Sequence, residues 1–219
     1  MTLIAEDLLL VLLDEQTGKP IVDSTKLPRV LAGALVLELA MNGSVRIGDE
    51  NRVVVAGPPP ADPLLARAHE LVSSARSPLK PQKIIEKLYK KLDNEVASRL
   101  VRQGFVAEEQ RKMLGLFPAT SWPAKDPARR RAAIAWIGSA VVDGTTPQPE
   151  ISALIALLSA IDAIPKVLPG VDKKAAKKRA KEIAEGEWAS EAVRKAVQDV
   201  NAAVMAALMV PVIVTAGSS

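Results

Sequence analysis

Four lysines, Lys83, Lys87, Lys90 and Lys91, recur three or four positions apart within one apolar-periodic segment. On a helix that spacing makes them neighbours on one face. A row of ammonium groups so placed can hold an anion, either a lipid phosphate or a nucleic-acid backbone. A denser basic run, Lys173 to Lys181, is followed at once by Glu182, Glu185 and Glu187, and it reads as a solvated helix face. A third group is apolar. Met113, Leu114, Leu116 and Phe117 follow Arg111 and Lys112 and precede Lys125, Arg129, Arg130 and Arg131. Apolar side chains flanked by cations fit the two-signal logic of peripheral membrane contact. The plainer alternative is a hairpin folded onto the core.

The residues that are missing exclude most catalytic chemistry. The chain has no cysteine and one histidine, His69, which removes thiol nucleophiles, disulfides and histidine-rich zinc sites. No Gly-x-Ser-x-Gly elbow, phosphate-cradling Gly-x-x-x-x-Gly-Lys loop or Gly-x-Gly-x-x-Gly turn is present. His69 has no partner nearby in sequence and reads as a surface or capping residue. No residue set calls for a cofactor or a metal. The net charge of +4 is modest, and the interest lies in its clustering.

The elements that must position these groups are mostly helical. Hydrophobic residues make up 48% of the 219 positions but aromatics only 3%, so Leu, Ile, Val and Ala must build the core. Thr2 is placed to cap a first helix with Glu6 and Asp7 in its first turns. Lys26 to Met41, with Pro28 near its start and Asn42-Gly43 at its end, reads as a helix apolar on nearly every face. Val45-Arg46-Ile47 and Arg52-Val53-Val54-Val55 flank a turn and make a short hairpin. Further helices are expected over 62–74, 81–103, 129–142, 149–167, 173–184 and 190–214, with a second hairpin over 111–122. The apolar stretch 202–216 is too short to span a bilayer and contains Pro211, so it reads as a core helix. The expectation is one mostly α domain over 1–219, with 31–41 and 151–164 as buried central helices and two short β-hairpins. The acidic start argues against a signal peptide.

Four blocks carry a resemblance. They are Leu3 to Asp14 with its early acidic pair, Leu31 to Gly43, Arg99 to Val106 leading into the apolar hairpin, and Ala153 to Asp162. In that order and spacing the chain resembles the Golgi phosphoprotein 3 family over nearly its whole length, and its short start looks like that of a bacterial member. The resemblance implies a helical, non-enzymatic peripheral protein, cytoplasmic and held at the inner face of a membrane. It also implies a basic pocket for phosphatidylinositol 4-phosphate. The pocket's tryptophan falls at about Asp23, its arginine at Ala32, and its two later basic residues at Lys90 and Asp93. Only Lys90 matches, and Asp23 and Asp93 would repel a phosphate. Lys90 and its neighbour Lys87 are therefore the candidate headgroup-binding residues. By the same resemblance the hairpin, with Met113, Leu114, Leu116 and Phe117, inserts into the bilayer or packs against another subunit.

The partners so implied are an anionic phospholipid surface, a protein client and a second copy of the chain. Nucleic acid is the competing partner, because helix-then-hairpin occurs twice and the pI is about 9.3. Against it, the 31–41 helix is too apolar for a groove. The lysine segment also lacks the Arg, Asn or Gln cluster that reads base edges.

Overall fold

The structure is a computed structural model that describes residues 2–113, 117–186 and 191–209. Two segments with almost nothing to offer water form its centre. Helix α2 (Lys26–Met41) buries Leu27 and every residue from Val30 to Leu39. Helix α7 (Pro149–Ala160) buries every residue from Ile151 to Leu158. Around them lie α1 (Ile4–Leu12), α3 (Pro63–Ser73), α4 (Pro81–Leu88), α5 (Leu92–Arg102), α6 (Ala128–Val141), the short α8 (Ile164–Val167), α9 (Lys173–Glu185) and α10 (Glu191–Leu208). Their apolar faces join one continuous core. The fold is mostly α with two antiparallel hairpins, as the sequence led us to expect. α10 packs along α2 and α4 and crosses α2 at Gly33, where a Cβ would sit 2.6 Å from Val204 Cγ2. Only glycine allows that approach.

Several boundaries differ from expectation. Thr2 is exposed, and Leu3 is the N-cap of α1. The end of α1 is satisfied from within, by Glu6 accepting from the Leu3 N–H at 3.3 Å and Glu38 accepting from the Ile4 N–H at 2.9 Å. Residues 81–103 form two helices rather than one. Lys91 adopts φ +60° between them, which lets α4 bury its stripe against α2 and α10 while α5 turns to α1. Residues 149–167 are also interrupted. Asp162 has φ +59°, and the ring of Pro165 would clash with the carbonyl of Ile161 in a continuous helix. The last helix is described to Leu208, and the rest of the expected 190–214 segment lies outside the described residues.

The first hairpin pairs β1 (Val45–Ile47) with β2 (Val53–Val55) and buries Val45 and Val53. The second pairs β3 (Glu109–Met113) with β4 (Phe117–Ser121), Met113 opposite Phe117. Leu114 and Leu116 lie outside the described residues. The base of this hairpin is anchored. Trp122 is buried and donates its main-chain N–H to Gly18 O at 2.9 Å, and the Ala124 main-chain N–H reaches Glu15 O at 3.1 Å. Beyond the base, β3 and β4 pair with each other, and among the described residues no helix packs extensively along them.

Candidate functional site: a basic cleft between α3 and α4

Asp62 starts α3 by accepting from the Leu64 and Leu65 N–H groups at 2.9 and 3.4 Å, with Pro63 at the first helical position. Burial of Leu64, Leu65, Ala68 and Val72 fixes the rotation of α3 and turns Arg67, Glu70 and Ser74 outward. α4 is fixed in the same way by Ile84, Ile85 and Leu88. Between the two helices lies an open cleft of about 370 Å³ lined by Arg67, Glu70, Ser74, Lys87 and Lys90, with Leu71 and Leu88 at its floor. Both candidate headgroup residues, Lys87 and Lys90, therefore meet in one concavity. The other two lysines of the row do not. Lys83 pairs with Glu86 at 3.2 Å, and Lys91 sits exposed at the break. Among the described residues neither Lys87 nor Lys90 has an ion-pair or hydrogen-bond partner.

Arg67 and Glu70 could not be found by spacing from the lysines, because they come from another helix. The only sequence signal was their place beside the buried stripe of the 62–74 segment. The positions carried over from the family pocket are arranged differently. Ala32 is fully buried in α2. Asp23 accepts from the Thr25 N–H and hydroxyl at 2.7 and 2.6 Å, which holds its carboxyl below the usual range. Asp93 lies in the first turn of α5, and neither Asp23 nor Asp93 lines the cleft. Two cations, Lys26 and Arg29, stand in the first turn of α2, and Arg29 is the one beside the lysine segment. It stacks at 4.3 Å on the ring of Tyr89, the residue before Lys90, and donates to Thr25 O at 2.8 Å.

The basic group at 129–131 does not accompany the hairpin as expected. It is spent inside the fold. Arg129 donates to Asp7 at 2.6 Å and to Glu6 at 3.2 Å. Arg130 binds Leu10 O and Leu13 O, both at 3.1 Å, as well as Glu15. Arg131, although exposed, also pairs with Glu15, and Lys125 is exposed. Arg99 completes the network, reaching Glu6 at 3.0 Å and Asp62 at 2.7 Å, with Gln103 donating to Glu6 at 2.9 Å. Burial pushes Glu6 up, but Gln103, the Leu3 N–H and Arg99 outweigh it, so its carboxyl lies below its ordinary value. Burial dominates at Glu38 and pushes it up to about 7, with the Ile4 N–H opposing and the neighbouring carboxylates adding to the rise. This network joins α1, α2, α3, α5 and α6 and is structural.

Two smaller readings are settled as well. The α9 lysines are a solvated face: Lys177 pairs with Asp162 at 2.8 Å, and Lys178 and Arg179 lean on Glu182. His69 is not at the surface. It is buried, with Nε2 3.1 Å from Gly57 O, tying the loop after β2 to α3.

These features define a mostly helical protein with a shallow, net-basic cleft and a separate anchored hairpin, in which no described helix is long and apolar enough to cross a membrane. The family model of Golgi phosphoprotein 3 (GPP34) matches residues 4–200, from α1 into α10. The chain belongs to this family. No curated protein matches it.

Proposed function

We propose that this chain is a non-enzymatic peripheral protein that binds anionic phospholipid headgroups in the α3–α4 cleft, at the cytoplasmic, inner face of a membrane. The observation that carries this reading is the pairing pattern. Lys87 and Lys90 share a concavity and have no partner among the described residues, while Arg99, Arg129, Arg130 and Arg131 are each held by carboxylates of the same fold. The cleft's concave shape and the break of 81–103 at Tyr89–Lys91 weigh against nucleic acid, because the one candidate reading helix is not continuous. Selective recognition of phosphatidylinositol 4-phosphate is not part of the reading, since Asp23, Ala32 and Asp93 stand where that pocket needs an aromatic and two basic residues.

Vesicle flotation tests it. Binding to vesicles of neutral lipid doped with phosphatidylglycerol should exceed binding to neutral vesicles. It should weaken with salt, because screening cuts the reach of the lysines to ~8 Å at physiological ionic strength. Equal binding to neutral and anionic vesicles overturns the proposal. The hairpin is proposed to add apolar insertion. Changing Leu116 and Phe117 together to Ser should then lower vesicle affinity at least about tenfold with an unchanged melt, each large apolar side chain being worth ~1.5–3 kcal/mol in lipid. A lowered melt or a dissociated oligomer would assign the hairpin instead to the core or to contact between copies.

A further inference from the structure

The lipid reading leaves Glu70 unexplained. It lines the same cleft as Lys87 and Lys90, where a carboxylate opposes a phosphate. Arg67, Glu70, Leu71 and Ser74 follow at helical i, i+3, i+4 and i+7 spacing and form the α3 wall. The other charges and donors on that wall are engaged elsewhere. Arg67 is held by Glu95 of α5 at 2.8 Å. The Ser74 hydroxyl donates to the main-chain carbonyl of Glu70 at 2.7 Å. Among the described residues the Glu70 carboxylate has no ion-pair or hydrogen-bond partner, and neither lysine closes on it. Two ammoniums and one carboxylate thus line a space of about 370 Å³ without meeting. That volume falls within the ~300–1,000 Å³ of small-molecule sites.

We infer that the cleft accepts a phosphodiester headgroup whose alcohol carries free hydroxyls, with the phosphate on Lys87 and Lys90 and a hydroxyl donating to Glu70. This rests on the lipid reading above and narrows it. Charge balance selects the class. Two ammoniums less one carboxylate leave one positive charge, which a phosphodiester matches with its single negative charge. A phosphomonoester carries roughly 1.5 to 2 negative charges and would meet Glu70 as a like charge. A zwitterionic headgroup offers an ammonium to Glu70 but sums to zero, leaving one lysine uncompensated. A neutral hydroxyl satisfies the carboxylate without disturbing the balance, and a hydrogen bond to an ionised acceptor is about twice as strong as one between neutral groups.

The test compares two lipids of equal charge and equal headgroup carbon number that differ only in hydroxyls, phosphatidylglycerol and phosphatidylpropanol, each doped at the same fraction into phosphatidylcholine vesicles. The full chain should bind the phosphatidylglycerol vesicles at least about tenfold more tightly, the low end of what one hydrogen bond to a charged group contributes. Glu70→Ala should erase that preference while keeping binding to both, and Glu70→Gln, which retains a carbonyl acceptor, should restore part of it. Glu70 is exposed, and a thermal melt of each variant confirms that it is folded. Equal binding of the two lipids by the unmodified chain overturns this inference and leaves the lipid reading standing. A preference that survives in Glu70→Ala removes Glu70 from the role. Failure to bind either anionic vesicle overturns the lipid reading, and this inference with it.

Discussion

The network around Glu6 and the cleft between α3 and α4 use the same chemistry to opposite ends. In the network, Arg99 and Arg129 each hold two carboxylates, and Glu6 is fully buried. In the cleft, Lys87, Lys90 and Glu70 line one space with no ion-pair or hydrogen-bond partners among the described residues. The arginines are fixed by planar, forked donors that suit buried carboxylates, while the lysines stand as hydrated point charges at the surface. The difference teaches that the count of basic residues says little about affinity for anions. What matters is how many are left unpaired. Arg129, Arg130 and Arg131 are three consecutive arginines, and all three are engaged by Asp7, Glu6 and Glu15.

If this contrast is right, the largest effects of mutation fall on stability in the network and on binding in the cleft. Arg99→Ala takes the guanidinium from Asp62 and leaves buried Glu6 to Arg129 and Gln103, and it should cost about 3–5 kcal/mol, the usual result of removing one partner of a buried pair. Urea unfolding measures it, and a loss below about 1 kcal/mol would show the network to be loosely solvated.

Next in size is the pH dependence. Glu38 is raised from 4.5 to about 7 in the folded protein, so the folded state holds a proton that the unfolded state has released. Its contribution is complete below pH 4.5 and is lost as pH rises toward about 7. The loss is on the order of 3 kcal/mol at 1.36 kcal/mol per pH unit. Glu6 acts in the reverse sense. Its depressed carboxyl adds stability above its ordinary value, and that is lost as pH falls through the folded value. Glu38→Gln should therefore flatten the decline between pH 5 and 7 while leaving the acid limb intact. An unchanged slope in urea titrations across that window would mean that Glu38 ionises normally.

The smallest change in free energy, and the most telling for function, belongs to the cleft. Lys87→Gln and Lys90→Gln should each leave stability within about 0.5 kcal/mol and weaken anionic vesicle binding by roughly fivefold, from ~1 kcal/mol per basic residue near a charged membrane.

The ease of reading the sequence followed the same division. α2 was legible to the residue because a continuous apolar run lies between Pro28 and Asn42-Gly43, and no other element offers such a run a better place. The breaks at Lys91 and Asp162 were hidden because both residues take positive φ without being glycine, a choice made by the burial needs of the flanking helices. Pro165 did mark the second break in the sequence. In the cleft, Lys87 and Lys90 were visible as neighbours on one segment. Arg67 and Glu70 were not, since only the packing of α3 on α4 brings them there. The basic triplet was misread because its partner Asp7 lies 122 positions away, beyond any local pattern.

The central claim is that the unpaired lysines of the cleft, and not the total positive charge, bind anionic lipid. The most direct measurement is flotation of the Lys87→Gln/Lys90→Gln double variant with phosphatidylglycerol vesicles, set beside an Arg131→Gln variant that removes an exposed but paired charge. The account predicts a loss of about twentyfold or more in affinity for the double variant, two contributions of ~1 kcal/mol each, with little change for Arg131→Gln and normal melts for both. Equal weakening per charge removed, or full binding by the folded double variant, would contradict it.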